Sequence, residues 1–507
     1  MLFVDLAAAS AAVAATSGRR DKVALLADAL RALAPDEVAA GAGYLAGDLR
    51  QRRTGVGWAG LRDLPPPAPA PTLTVAAVDA AVEDIAAVAG TGSRELRRAR
   101  LGALFAAATA DEQRLLGGLF SGELRQGAQA GLLADAIARA AGVPAAAVRR
   151  ALLLAGDLRD VAVAALGGGA AALGAITLEV GRPLSPMLAG SAPDAAAALA
   201  ATGAPAAVDA KLDGIRVQAH RRGRDVAVFS RSLDDVTARL PGVVAAVRDL
   251  PGGDLVLDGE AMLRDAAGRP RAFQDTASRA ATHAAGEPAD TLVPYFFDLL
   301  HLDGTDLIDH PGADRWAALA ATVPGALRVA RSVVDGPGAA TAAFAAALAA
   351  GQEGVVVKAL DAPYAVGRRG AAWVKVKPRH TYDLVVLAAE WGHGRRRGWL
   401  SNLHLGARDP AGGFVMLGKT FKGLTDATLR WQTERFRELA EREEPGVVFV
   451  RPEQVVEIAF DGVQRSTRYP GGVALRFARV LRYRDDKPAA EADTIDTIRA
   501  LRPPGTP

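Results

Sequence analysis

The 507 residues allow about three domains at roughly 150 residues each, and a chain that is 50% hydrophobic is not a disordered one. The formal charge of +3 hides a skew, 8 Lys against 52 Arg, with Lys22 alone before position 200. Without Cys there are no disulfides, no Cys-ligated zinc and no thiolate chemistry.

In chain order, residues 1 to about 175 read as helical. Val23, Leu25, Leu26, Leu30 and Leu33 follow a 3.6-residue period after Thr16-Ser17, and Thr74 stands where it would cap a helix carrying Val75, Val78, Val82 and Ile85. Further helices are predicted at 94–108, 111–119, 129–141 and 144–155, with the proline run at 65–71 as a spacer. The polar residues collect near turns: Gln51-Arg52-Arg53-Thr54-Gly55, Gly92-Ser93-Arg94 and Ser121-Gly122-Glu123-Leu124-Arg125-Gln126-Gly127. Such turns suit contacts to a nucleic-acid phosphate backbone, and each taken singly suits a solvated helix end as well. No basic region precedes the Ala-rich stretch at 7–15 and no run is long and apolar enough to span a bilayer, so a cytoplasmic protein is expected.

Gly167-Gly168-Gly169 followed by Gly181-Arg182-Pro183-Leu184-Ser185-Pro186-Met187-Leu188 reads as a linker into a new domain. Residues 190 to 379 carry strand patterns at 226–232, 254–263, 294–304, 353–358 and 372–378, with helices at 234–249 and 339–350, an α+β arrangement with largely antiparallel sheets. Residues 380 to about 485 hold five short strands and a helix at 425–442, which fit a small closed barrel such as an OB-fold. The polar stretch from 488 is expected to be a disordered tail.

The chemistry concentrates at residues 208–220. Val208, Ala210 and Leu212 alternate with Asp209, Lys211 and Asp213, and the phase slips at Gly214, the signature of a bulge or a close backbone approach. A chain that takes nearly all its positive charge from Arg keeps Lys where Arg would fail, because Lys can lose its proton and attack whereas Arg cannot. Lys211 is therefore a candidate nucleophile. The same alternation puts Asp258 with Glu260 on one strand face and Trp373 with Lys375 and Lys377 on another, while Glu353 opens a strand that ends at Lys358. Any one of these fits a solvated sheet face. Several cations and carboxylates in one cleft suit a polyphosphate and a divalent metal such as Mg²⁺. The seven His (220, 283, 301, 310, 380, 393, 404) have no metal-ligand spacing and read as ordinary.

Lys211-Leu212-Asp213-Gly214-Ile215-Arg216 resembles the K-x-D-G-x-R element of the covalent nucleotidyltransferases. Ser230-Arg231-Ser232, Leu257-Asp258-Gly259-Glu260, Tyr295-Phe296-Phe297-Asp298, Glu353 to Lys358 and Trp373 to Lys377 follow in the family order. With the helical N-terminal part and the terminal barrel, the chain is similar over nearly its whole length to the ATP-dependent DNA ligases. The resemblance implies a multi-domain α and α+β protein: an all-α DNA-binding domain at 1–175, a nucleotidyltransferase (adenylation) domain at 176–379, an OB-fold domain at 380–487 and a tail at 488–507. It implies that Lys211 attacks the α-phosphorus of ATP and carries AMP as a phosphoramidate. Phe297 would stack on adenine, with Asp209 at the base. Arg216, Arg231 and Glu260 would hold the ribose and its surroundings, and Glu260 and Glu353 the metal. Lys375, Lys377 and Arg369 would contact the α-phosphate. The implied partners are ATP and nicked double-stranded DNA, bound by a monomer and without a membrane.

Two departures stand out. Asp209 is shorter than the Glu usual at that position, and the terminal element from Arg476 to Lys487 is longer than usual, leaving Arg476, Arg479, Arg482 and Lys487 all open as pyrophosphate contacts. An RNA ligase or an mRNA-capping-type nucleotidyltransferase shares the lysine chemistry but needs no large helical domain. An NAD-dependent ligase would need a four-cysteine zinc site, which this chain cannot build. A binding-only clamp has no use for a nucleophile.

Overall fold

The computed structural model describes residues 1–51, 54–124, 126–127, 130–264, 271, 275–276 and 292–502. It divides into two compact units, Met1–Pro186 with His301–Asp306, and Met187–Leu300 with Leu307–Pro507.

The first unit is helical: Phe3–Ala15, Arg19–Arg31, Val38–Ala46, Val75–Ala86, Ser93–Ala107, Ala110–Ser121, Ala130–Ala141, Ala145–Ala155 and Leu158–Gly174. Thr74 caps its helix as expected, its hydroxyl accepting from the Ala77 N–H at 3.0 Å. The periodic residues Val75, Val78, Val82 and Ile85 all enter the shared core, each full burial contributing roughly 1.5–3 kcal/mol. The triple glycine is not a linker. It lies where two helical segments within Leu158–Gly174 meet at Gly169, whose φ of 58° is not helical; Val161, Ala162 and Ala165 before it and Leu173 after it bury in the core. Of the three polar turns, Gly55 and Arg94 line one cavity of about 470 Å³. Gln51, Thr54, Ser121 and Gly122 line another of about 660 Å³. Arg52, Arg53, Arg125 and His283 lie outside the described residues. No helix among the described residues is long and apolar enough to cross a membrane.

The second unit contains two sheets that frame a crevice. The strands from 188 to 376 in chain order are β1 (Leu188–Ser191), β2 (Ala206–Lys211), β3 (Ile215–Arg222), β4 (Asp225–Ser230), β5 (Leu255–Met262), β6 (Val293–Leu302), β7 (Thr305–Asp306), β8 (Arg331–Val334), β9 (Gly354–Ala359) and β10 (Arg369–Val376), of which the end of β6 and β7 count with the first unit. One sheet runs β1-β10-β9-β2-β8 and the other β4-β3-β5-β6-β7. β1 pairs with β10 in parallel, while β2, β8, β9 and β10 pair antiparallel. The helices Ala195–Thr202 and Pro337–Ala349 cover the outer face of the first sheet, burying Val208, Val355, Val357, Val374 and Val376. The alternate residues of β2, β9 and β10 are thereby turned toward the crevice.

Several sequence expectations change here. The phase slip at Gly214 is not a bulge in one strand: β2 ends at Lys211 and β3 begins at Ile215 in the other sheet. The close approach is real, since a Cβ at Gly214 would stand 2.6 Å from the Ala261 carbonyl oxygen on β5. The helix expected at 234–249 shortens to Pro241–Arg248 after a single 3₁₀ turn, with Pro241 pre-set for the first helical position. The helix Gly312–Thr322 and strand β8 are not among the expected elements.

The remaining strands are β11 (His380–Trp391), β12 (Leu400–Arg408), β13 (Phe414–Thr420), β14 (Ala440–Glu444), β15 (Val447–Val450), β16 (Val455–Phe460), β17 (Gly462–Arg465), β18 (Val473–Arg476) and β19 (Arg479–Tyr483). They form a sheet β13-β12-β11-β15-β14, with β16 bridging β11 and β19, and a separate β17-β18 pair. Among the described residues these pairings do not close into a ring. The expected helix at 425–442 stops at Glu438, and its last residues begin β14 instead. The described part of the tail, 488–502, packs onto the sheet: Ile495 and Ile498 of the short helix Ile495–Arg499 are 1% and 0% exposed in the sheet's core. Two isoleucines one turn apart anchor an otherwise polar segment.

Candidate active site

The crevice between the two sheets holds a cavity of about 400 Å³. Eight of the predicted site residues line it: Asp209 and Lys211 from β2, Arg216 from β3, Arg231, Glu260 from β5, Phe297 from β6, and Arg369 and Lys375 from β10. The other two, Glu353 and Lys377, stand beside Lys211. The Glu353 carboxylate bridges the two ammonium groups, accepting from Lys211 Nζ and pairing with Lys377 Nζ. This follows from strand register. Lys211 pairs with Gly354 across β2 and β9, and the Glu353 N–H donates to the Lys211 carbonyl at 3.0 Å. Gly354 is required at that junction: its φ is +148° and a Cβ there would lie 2.1 Å from the Val376 oxygen.

Charge in the cavity is unevenly compensated. Burial would raise the Glu353 carboxyl, but Lys211 and Lys377 overcome it and hold the group below the usual carboxylate range. Lys375 is pushed down by burial, then by the nearby cations Lys377, Arg369 and Lys211. Burial raises Glu260 to about 7, and Lys211 and Arg216 only partly offset it. No described residue forms an ion pair with Glu260. Nor does any group of three His, Cys, Asp or Glu gather among the described residues to hold a metal by protein ligands alone.

Arg216 is less free than its sequence role suggested. Its Nε and Nη2 donate to the two Asp258 oxygens at 3.0 and 2.7 Å and its Nη1 to the Met187 carbonyl at 2.7 Å. At the far end, Asp209 is buried between Arg331 and Lys358, whose charges lower its carboxyl despite burial. Lys358 lies 2.7 Å from Asp209, with the Trp373 and Phe297 rings at 4.1 and 4.5 Å. Of the four open candidates in the terminal element, Arg476 donates to Asp213 at 2.6 Å, in the turn just after Lys211. Arg482 is held by Glu457 and Lys487 by Asp383.

Three family models match the chain: DNA ligase N terminus over residues 62–136, ATP dependent DNA ligase domain over 186–377 and ATP dependent DNA ligase C terminal region over 396–487. A probable DNA ligase of Beutenbergia cavernae is 61% identical over 510 residues, covering 99% of each chain. One from a Nocardioides species is 60% identical over 508 residues, again covering 99% of each. The chain belongs to the ATP-dependent DNA ligases. Among solved structures, Pmar-Lig_Pre is 18% identical and covers 95% of this chain and 99% of its own at a TM-score of 0.56, a likeness of fold.

Sequence reasoning missed several residues of this ligase site. Lys358 and Trp373 lie inside recognised elements, but their convergence depends on β9 and β10 being neighbours. Tyr364, whose hydroxyl donates to Asp258 at 2.5 Å, and Arg331 sit in segments that no element was expected to cover. The β-branched pair Val333-Val334 is the one signal that could have marked β8 as a strand.

Proposed function

We propose that this ligase seals nicks in duplex DNA with ATP, through a lysyl-AMP intermediate on Lys211. The observation that carries the reading is the amine of Lys211 at the wall of a cavity that also presents Lys375, Arg369, Arg231 and an aromatic ring. Phosphoryl transfer is mainly positioning and charge neutralisation, and this wall supplies both. Lys211 Nζ attacks the ATP α-phosphorus, the P–N bond forms as the P–O bond to pyrophosphate breaks, and the amine's surplus proton leaves. AMP then passes to the 5′-phosphate of the nick, and the adjacent 3′-hydroxyl displaces it to form the phosphodiester.

In this reading Phe297 stacks on adenine with Asp209 behind it, and Arg231, Arg216 and Glu260 hold the ribose side. Lys375, Lys377 and Arg369 neutralise the α-phosphate. The donor set fits Mg²⁺, which commonly takes one or two carboxylates plus substrate phosphates. Glu260, half-buried and lacking a cation partner among the described residues, and Glu353 would hold it. Bound there, it would offset charge on the phosphates and polarise the scissile P–O bond. Arg476, anchored at Asp213, is the terminal-element residue best placed for the pyrophosphate. The helical unit would bind the duplex through its phosphates. Residues 176–379 would act as the adenylation domain and 380–487 as an OB-fold module, in a cytoplasmic monomer.

Labelled ATP with Mg²⁺ is expected to leave label covalently on the protein and Lys211→Ala to abolish it. A nicked duplex should be sealed with ATP and not with NAD. A Lys211→Ala protein that still takes label would overturn the assignment.

A further inference from the structure

The segment 329–331 crosses from one sheet to the other at the Phe297 end of the cavity. The Val329 N–H donates to the Phe296 carbonyl of β6 at 3.0 Å, and the Ala210 N–H of β2 donates to the Ala330 carbonyl at 2.9 Å. Arg331 follows at once. Its Nε and Nη2 donate to the two Asp209 oxygens at 2.5 and 2.7 Å, and Nη2 also donates to the Phe297 carbonyl at 2.8 Å. The guanidinium lies 4.1 Å from the Trp316 ring centroid. One side chain thus bonds β2 two residues before the nucleophile and β6 at the aromatic ring.

We propose that Arg331 is the positioning residue for the nucleotide base: it pins the two sheets at a fixed separation, so that Phe297, Asp209 and Lys358 present one wall to the adenine. The inference rests on the nucleotidyl-transfer reading above. A planar fork with donors at set angles is needed to hold both carboxylate oxygens and a carbonyl together, and a lysine, as a point charge, cannot do so. The shortened Asp209 belongs to the same device. Its carboxylate meets the fork within the wall, so it braces the base site from behind. Because Lys211 lies two residues further along β2, looseness at Asp209 reaches the nucleophile. A misplacement of about 1 Å can cost on the order of 100-fold in rate.

The test uses the full-length protein with Arg331→Lys, Arg331→Met and Asp209→Asn, the last breaking the fork from its other side. Enzyme-AMP formation is followed across ATP concentration and repeated with GTP, with thermal unfolding as the check on folding. Folded variants are expected to raise KM for ATP about tenfold or more, to narrow the preference for ATP over GTP, and to change kcat less. Wild-type KM and base preference in any folded variant would overturn the proposal. So would a loss of kcat alone, in proportion to the unfolded fraction, since that marks a purely structural arginine. If none of the three folds, Arg331 is a core residue and the proposal falls. Failure of the wild type to take label from ATP would instead remove the nucleotidyl-transfer reading itself.

Discussion

Glu260→Gln should stabilise the protein while disabling it. The folded structure raises the Glu260 carboxyl to about 7 from its ordinary 4.5, chiefly by burial. In the folded state this group therefore holds its proton to higher pH than in the unfolded chain. Its favourable contribution is complete below its ordinary range and is lost as pH rises through about 7. At 1.36 kcal/mol per unit, a shift of about 2.5 units amounts to about 3 kcal/mol between the two limits. Glutamine keeps the shape and cannot ionise. In metal-free, nucleotide-free buffer its advantage over wild type should grow by about 2–3 kcal/mol between about pH 5 and about pH 8. Urea unfolding at both pH values, read by two probes so that sequential loss of the units is seen, measures it. The variant should form little enzyme-AMP at either pH. A wild-type-to-variant difference that stays flat with pH would refute the argument, because it would mean that Glu260 ionises as freely in the fold as out of it.

Arg476→Ala removes a partly exposed ion pair, so stability should change by less than about 1 kcal/mol, while enzyme-AMP formation should slow by about 100-fold. Single-turnover labelling decides it, and an unchanged rate would remove Arg476 from the site. Ile498→Ala empties a fully buried position in the C-terminal core and should cost about 2–5 kcal/mol. Protease susceptibility of the segment after Lys487 is the measure, and a variant no more readily cut than wild type would contradict docking of the tail.

Much of the site could be read without coordinates because its chemistry is local in sequence. Strand alternation alone turns Lys211, Glu260 and Lys375 to the polar side of their strands, and the ordered elements from Lys211 to Lys377 name the reaction. Local patterns err where a segment's fate depends on what it packs against. The triple glycine joins two helical segments because its flanks bury, and the polar tail docks because two isoleucines find a core. The opening stretch splits between two sheets, so what reads as one strand out of phase is two strands meeting at the cavity.

What the amino-acid order offered by itself is a set of candidate reacting groups, a lysine with carboxylates and cations, on or beside strands of known phase. Only the tertiary structure decided how they are joined. Glu353 comes to bridge Lys211 and Lys377 because β9 lies between β2 and β10. Arg331 comes to hold Asp209 and Phe297 because the segment before β8 crosses between the sheets and β8 then pairs with β2. Those contacts join residues far apart in the chain, and their existence depends on strand order and register, which no local periodicity encodes.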